Sequence, residues 1–232
     1  MTNDALPKRR VAIVVGAAGD LGRATAVKLA DIGMTVVAVD RDKTGLAALP
    51  GDFARELADA TDPDAVAAMV ERVVRAVGIP DALVNTIGAF QTGDALATTP
   101  DLLRLMIDVN LGPALWLSQA VVPYMQRRGS GAIVHIAARP GIEPAAGMAA
   151  YSVSKAALVH LTRILDLELR PLGIRVNSVA PQLLDTAWAR ASLPKEVLAH
   201  AVAPEAIAEV IAFLVSEAAT PISGAILPAY GA

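Results

Sequence analysis

Short apolar runs alternate with longer stretches of helical periodicity along almost the whole of this chain. Arg10 to Val15 is a short apolar run that ends at a glycine. From Asp20 to Ile32 the apolar positions fall at helical spacing, with Leu21, Ala24, Val27 and Leu29 on or near one face. Thr35–Val39 is β-branched and reads as a second strand, and Phe53–Leu57 as a weaker third. Asp62 is a good N-cap for a helix that opens at Pro63. Ala82–Thr86 predicts a fourth strand. Asp101–Arg128 predicts a long apolar helix, interrupted at Gly112-Pro113. Then follow a strand at Ala132–Ala137, a helix over Met148–Arg170 punctuated by Pro171 and Gly173, and a strand at Ile174–Val179. A helix over Glu205–Ser216 and a short strand at Ala225–Leu227 close the pattern. Strands that alternate with helices imply right-handed crossovers and a parallel sheet. The expected fold is α/β: one doubly wound, three-layer domain around a mainly parallel seven-stranded sheet. No repeat or low-complexity linker divides residues 1–232, so they read as one domain. Residues 1–9 read as a flexible N-terminal segment and 185–204 as a short substrate-side loop.

Composition agrees with that architecture and narrows the possible partners. Hydrophobic residues make up 54% of the chain but aromatic ones only 3%, so alanine, valine and leucine must fill thin, closely packed layers. The formal net charge is −3, and the one basic cluster, Lys8-Arg9-Arg10, reads as a solvated strand entrance. A nucleic-acid partner, which needs clustered Lys and Arg, is not expected. The absence of cysteine excludes disulfide and thiolate chemistry. No secretory pattern opens the chain and no apolar run reads as long enough to span a membrane, so a cytoplasmic protein with no membrane partner is expected.

In a parallel sheet, ligands bind where strands end at their carboxyl edge. Gly16, Gly19 and Gly22 follow the first strand and open the first helix. One glycine permits a tight turn, one lets the backbone approach a pyrophosphate, and one lets helix and strand pack closely, while the helix N-terminus offers N–H groups to the phosphates. On spacing alone the same glycines also suit an ordinary tight turn. Asp40 ends the second strand about 20 residues on, where an acid accepts hydrogen bonds from an adenosine ribose and repels a 2′-phosphate. NAD is therefore expected over NADP. Arg41 is the opposing feature, since it can reach a 2′-phosphate or stack on adenine; Ala18 adds no second cation within the turn.

Tyr151 and Lys155 stand four apart, on one face of the fifth long helix. A free tyrosine has a pKa of about 10 and needs a neighbouring cation to serve as acid and base near neutrality. Lysine there can lower that pKa and hold a ribose; the pair also suits a plain helix surface. The three histidines, His135, His160 and His200, share no ligand spacing, so no metal site is expected, and His135 inside a strand reads as a core residue.

These residues together resemble the short-chain dehydrogenase/reductase family, from about Arg10 to the C-terminus. The likeness rests on Gly16 with Asp20-Leu21-Gly22, on Asp59-Ala60, and on Leu83-Val84-Asn85 with Gly88. It rests equally on Asn110, on Tyr151 with Lys155, and on Ile174-Arg175-Val176-Asn177-Ser178-Val179-Ala180-Pro181. The resemblance implies a Rossmann-type fold and an oxidoreductase that moves hydride between a nicotinamide and a small-molecule substrate. It implies Tyr151 as proton donor or acceptor, Lys155 on the ribose, and Asn110 supporting a water that leads to Lys155. It also implies Asp59 at the adenine, Asn85 shaping the cofactor channel, and Leu184 and Thr186 at the carboxamide. A helix-built homodimer or homotetramer is implied too. Independently, Pro113 lacks an N–H, so the helix must distort near Val109 and Asn110 and free a carbonyl that can bind water.

The chain departs from the family at one telling place. Thirteen residues before Tyr151, where the family carries serine, stands Ala138, preceded by Ala137. A member that lacks this hydroxyl either relies on Tyr151 and an activated, quinonoid-like substrate or binds a dinucleotide with little catalysis, as a regulatory or scaffolding partner. The dihydropteridine reductase-like subgroup also has alanine there. Gly147-Met148 before Tyr151, and Leu184-Asp185-Thr186 with Arg190, Ser192 and Pro194, resemble that subgroup. Arg139, Gln91 and Gln182 are the candidate substitute donors, Gln182 standing where the family has glycine. Trp188 is either part of a small lid or a hydrophobic anchor of its loop.

Overall fold

Every apolar run read as a strand is a strand of one sheet, buried except at the two edges, β3 and β7. The computed structural model describes residues 10–231; the segment 1–9 and Ala232 lie outside the described residues. In chain order the main elements are β1 (Val11–Val15), α1 (Asp20–Asp31), β2 (Thr35–Asp40), α2 (Lys43–Ala47), β3 (Ala54–Leu57), α3 (Pro63–Ala76) and β4 (Ala82–Asn85). The second half runs α4 (Pro100–Asn110), α5 (Gly112–Arg128), β5 (Gly131–Ile136), α6 (Ala149–Leu169), β6 (Ile174–Pro181), α7 (Ala187–Ser192), α8 (Lys195–Leu198), α9 (Pro204–Val215) and β7 (Ile226–Ala229). The strand order is β3-β2-β1-β4-β5-β6-β7, parallel at every pairing. The order reverses between β1 and β4, and in such sheets the crevice at that reversal receives the ligand.

Strand periodicity explains the two cores. In β1, Ala12 and Val14 pack with Leu21 and Leu29 of α1 and Ile207 and Ile211 of α9. Val11, Ile13 and Val15 point the other way, onto Val66 and Met69 of α3 and Leu117 and Val121 of α5. Successive side chains leave opposite faces of a strand, so a strand covered on both sides must be apolar throughout, as β1 is.

Local chemistry sets the boundaries. Asp62 caps α3 by accepting from the backbone N–H groups of Asp64 (2.9 Å) and Ala65 (3.2 Å), with Pro63 in the first turn. The long apolar stretch breaks at Leu111, just past the predicted Val109 and Asn110, because Pro113 cannot continue the ladder. Taken as one 29-residue stretch, Pro100–Arg128 is long and apolar enough by composition to cross a membrane, which corrects the sequence reading. The break divides it into helices of 11 and 17 residues, and Leu117, Val121 and Met125 of the second lie in the core beneath the sheet. The segment 185–204 is likewise not a plain loop: it contains α7 and α8.

The glycine turn shows a division of labour. Gly16 has φ +83°, which favours glycine. At Gly22 a methyl group would lie 2.0 Å from the Gly16 carbonyl oxygen, so α1 crosses β1 at a distance only glycine allows. Gly19 is different, since a methyl there would meet only ordinary contact at 3.4 Å. Gly22→Ala is therefore expected to lower unfolding stability by about 1–3 kcal/mol in urea denaturation. Gly19→Ala is expected to stay within about 0.5 kcal/mol of the parent.

Candidate active site

The end of β2 and the glycine turn are one hydrogen-bonded unit. The N–H groups of Gly16 and Ala17 donate to the Val39 carbonyl at 2.9 and 3.1 Å. Asp40, nearly buried, accepts from the Ala18 N–H (3.0 Å) with one carboxylate oxygen and from the Asp42 N–H (3.0 Å) with the other. Gly19 is the N-cap of α1 and has no side chain with which to cap it, so the positive end of that helix is left for an outside anion. The carboxylate of Asp20, in the first turn, accepts from the Ala187 N–H (2.9 Å) at the start of α7. Arg41 is turned toward Asp59, at 3.5 Å. Hydrogen bonds from Thr61, and secondarily Arg41, hold the Asp59 carboxyl below the usual range. Ala60 is buried beside it.

At the end of β4, buried Asn85 accepts from the Ile87 N–H (3.0 Å), and the Thr86 hydroxyl donates to the Val15 carbonyl (2.8 Å). The chain then passes Gly88, where a methyl would stand 3.1 Å from both Asn110 Oδ1 and Lys155 Nζ. Asn110 closes this corner. It accepts from the Ala89 N–H (2.9 Å) and donates to the Ala89 carbonyl (3.0 Å) and to Ser154 Oγ (3.0 Å), while Ser154 donates to the Tyr151 carbonyl (2.7 Å). Its side chain thus pins the strand-end loop to α6.

Tyr151 and Lys155 share a helix face as predicted, but the ammonium is not turned to the phenol. Lys155 Nζ donates to the Ile136 carbonyl at 2.8 Å, and burial pulls its pKa down to about 8. Burial pushes Tyr151 up to about 12. The lowered tyrosine pKa expected from the spacing is therefore absent here, because a four-residue offset fixes the helix face and not the destination of a flexible four-carbon stem. Phe90 meets the Tyr151 ring edge-on at 5.0 Å, and Trp188 lies 6.2 Å beyond Phe90.

A cavity of about 960 Å³ joins the Tyr151 corner to the first turn of α1, while Gly16, Gly19, Asp40, Asp59, Asn85 and Asn110 lie outside its wall. Leu21, Gly88, Pro181, Leu184 and Thr186 from the predicted dinucleotide side line it together with Ala138, Gln182 and Trp188, and with Tyr151 and Lys155. Gln91 and Arg139 are not in its wall. Gln91 is exposed, and the Arg139 guanidinium is held outside by Glu143 (2.8 Å) and by Gln182 Oε1 (2.8 Å), above the Tyr230 ring. Met148, next to Gly147 in the subgroup resemblance, lines the wall, as do Phe90, Leu193 and Val197, which the sequence did not single out. For Phe90 a signal existed, since it follows a strand end. A second cleft, of about 500 Å³, lies among charged side chains between α1, α7 and α9 and contains neither Tyr151 nor Lys155.

A dehydrogenase-type fold with this strand-end site has close counterparts. The family model described as short chain dehydrogenase matches residues 10–197. The chain is 32% identical to the 3-oxoacyl-(acyl-carrier-protein) reductase of Thermotoga maritima, over 94% of this chain and 95% of that protein. It is 36% identical to the cis-4-hydroxycyclohexanecarboxylate dehydrogenase of Sinomonas cyclohexanicum, over 96% and 95%. Among solved structures, a short-chain dehydrogenase/reductase from Burkholderia xenovorans superposes with a TM-score of 0.90 at 32% identity, covering 96% of this chain and 95% of that one. A variant actinorhodin polyketide ketoreductase solved with NADPH gives 0.89 at 27% identity, covering 96% of each. The chain belongs to the short-chain dehydrogenase/reductase family and is an oxidoreductase of the Rossmann-type fold.

One buried group makes the fold sensitive to acid. His135 is fully buried on β5, with Nδ1 unpaired, and burial aided by the charge of Lys155 lowers its pKa to about 3 from 6.5. Between those values the unfolded chain binds a proton that the folded chain refuses. The stability tied to the neutral ring is thus present above pH 6.5 and lost as pH falls toward 3. His135→Asn is expected to flatten the fall of unfolding free energy over that window, measured by urea denaturation at a series of pH values.

Proposed function

We propose that the protein binds NAD(H) along the carboxyl ends of its strands and reduces a small carbonyl or quinonoid-like substrate, or oxidises the corresponding alcohol. The observation that carries this reading is the meeting of Tyr151, Lys155 and Gly88 in a cavity that also borders the first turn of α1, with Asn110 buried behind Gly88. The residues present fit a dinucleotide: the α1 N-terminus lacks a side-chain cap, and its N-cap residue, Gly19, carries no side chain to obstruct a phosphate. Gly16, Gly19, Leu21 and Gly22 would hold the pyrophosphate, Asp40 the adenosine ribose, and Asp59 and Ala60 the adenine. Asn85 and Gly88 would border the channel, Lys155 would hold the second ribose, and Pro181, Leu184 and Thr186 would hold the carboxamide. When bound, the nicotinamide supplies or accepts the hydride.

The chain's own residues handle the proton and the substrate. Burial keeps Tyr151 protonated at neutral pH, the state that donates to a carbonyl oxygen during reduction. Asn110 fixes the loop and helix on either side of the tyrosine. Phe90, Met148, Trp188, Leu193 and Val197 give the substrate wall an apolar character, which suits a compact ring or short chain. The relative that acts on cis-4-hydroxycyclohexanecarboxylate makes a cyclohexanone a reasonable first probe. NAD is preferred over NADP because Asp40, held at the end of β2 by the Ala18 and Asp42 N–H groups, would repel a 2′-phosphate, and Arg41 is turned to Asp59. Exposed Leu105, Val153 and Leu167 on α4 and α6 favour self-association as a homodimer or homotetramer.

Two measurements test the reading. Tyr151→Phe is expected to cut turnover by about 10²–10⁴-fold while NADH binding, followed by fluorescence titration, is retained. Loss of binding together with turnover, or undiminished turnover, would sink the role given to Tyr151. NADH is expected to bind at least about tenfold more tightly than NADPH, a difference of about 1.4 kcal/mol. Tighter NADPH binding reverses the assignment of Asp40.

A further inference from the structure

The cavity wall beside Tyr151 contains two strand ends of opposite character. β5 runs out into Ala137 and Ala138, both buried and without a polar side-chain atom. β6, its parallel neighbour, runs out into Pro181 and Gln182. The Ala137 N–H donates to the Val179 carbonyl at 2.8 Å, so these two ends lie side by side. Three other polar side chains of the wall are engaged, while those of Tyr151, Trp188, Glu196 and His200 have no partner among the described hydrogen bonds. The Thr86 hydroxyl donates to Val15, Lys155 donates to Ile136, and Thr186 Oγ1 accepts from the Ala189 N–H. The Gln182 side-chain nitrogen donates to no protein group among the described hydrogen bonds.

The orientation of that amide follows from its partner. Arg139 Nη1 donates to Gln182 Oε1 at 2.8 Å. A guanidinium has donors and no acceptor, so the amide oxygen must face it and the NH₂ must face away. Flipping the amide would set N–H against N–H. Arg139 is itself held by Glu143 at 2.8 Å and stands over the Tyr230 ring, 4.9 Å from its centre. A cation on the amide oxygen also polarises the group and strengthens its N–H donors.

We infer that Gln182, oriented by Arg139, donates its Nε2 N–H to the substrate oxygen beside Tyr151. Gln182 is then a catalytic residue and Arg139 a positioning residue. The inference rests on the reading of Tyr151 given under Proposed function. It assigns this chain a donor just past β6 in place of one just past β5, and a preference for substrates whose oxygen accepts two hydrogen bonds.

The test uses the full chain, NADH and cyclohexanone. Gln182→Leu is expected to lower kcat by about 10–10²-fold, within the range seen on losing one such donor, with NADH affinity and Tm unchanged. Arg139→Met is expected to lower kcat less, and Arg139→Lys to recover part of the loss. Ala138→Ser is expected to restore most of the lost kcat when combined with Gln182→Leu, since it returns a donor from the adjacent strand end. A second arm needs no turnover. In ¹⁵N-labelled protein loaded with NAD⁺, the side-chain NH₂ pair of Gln182, assigned by its absence from Gln182→Glu, is expected to shift when cyclohexanone is added. A parent that reduces no carbonyl refutes the proposed function, and the NH₂ pair then still reports whether Gln182 meets the ketone. An NH₂ pair unmoved by saturating ketone, or Gln182→Leu with kcat within twofold of an active parent, overturns the inference.

Discussion

The closeness of α1 to β1 is the constraint on which the rest of the molecule depends. No methyl group fits between Gly22 and the Gly16 carbonyl, so the helix begins almost on top of the strand. That approach brings the uncapped helix end to the carboxyl edge of the sheet, at the reversal of strand order. It also brings the turn within reach of β2, where Val39 and Asp40 bind three successive N–H groups of Gly16, Ala17 and Ala18. An exposed loop of the same length would leave those groups to water and the helix end unaimed. The closeness is stabilised by the apolar layer beneath it, where Leu21, Ala26 and Leu29 press on Ala12 and Val14.

The other side of the site is governed by desolvation. Three ionisable groups, His135, Tyr151 and Lys155, are packed along β5 and α6, and each is pushed toward its neutral form. Lys155 finds only the carbonyl of Ile136, and its charge in turn opposes a charge on His135. Asn110 contributes rigidity rather than charge, because its side chain bonds the loop after β4 to α6. On the reading proposed, a site so organised keeps its proton on tyrosine until a substrate oxygen arrives.

The parts of the fold that were legible in the sequence are those fixed by local rules. The seven strands, the long helices and the Asp62 cap follow from periodicity and capping, and the glycines, Asp40, Tyr151 and Lys155 from spacing. The helices α2, α7 and α8 were missed because four to six residues are too few to show a period. Side-chain destinations were missed for a different reason. Nothing in the spacing of Tyr151 and Lys155 tells that the ammonium turns to Ile136, and nothing near Arg139 tells that its partner is 43 residues away. Phe90 and the α8 wall residues come to Tyr151 only through tertiary packing.

The hydrogen bond from the Ala187 N–H to Asp20 carries a consequence for how the site could be blocked from within. A carboxylate in the first turn of α1 is itself an anion beside the positive end of that helix, the same place where a phosphate is welcome. The start of α7 keeps it occupied elsewhere. Loosening of that segment would release Asp20 as a tethered competitor, covalently present and therefore impossible to dilute. On the reading proposed, the short helix that carries Trp188 would have a second use besides walling the cavity: restraining an internal rival for the phosphate.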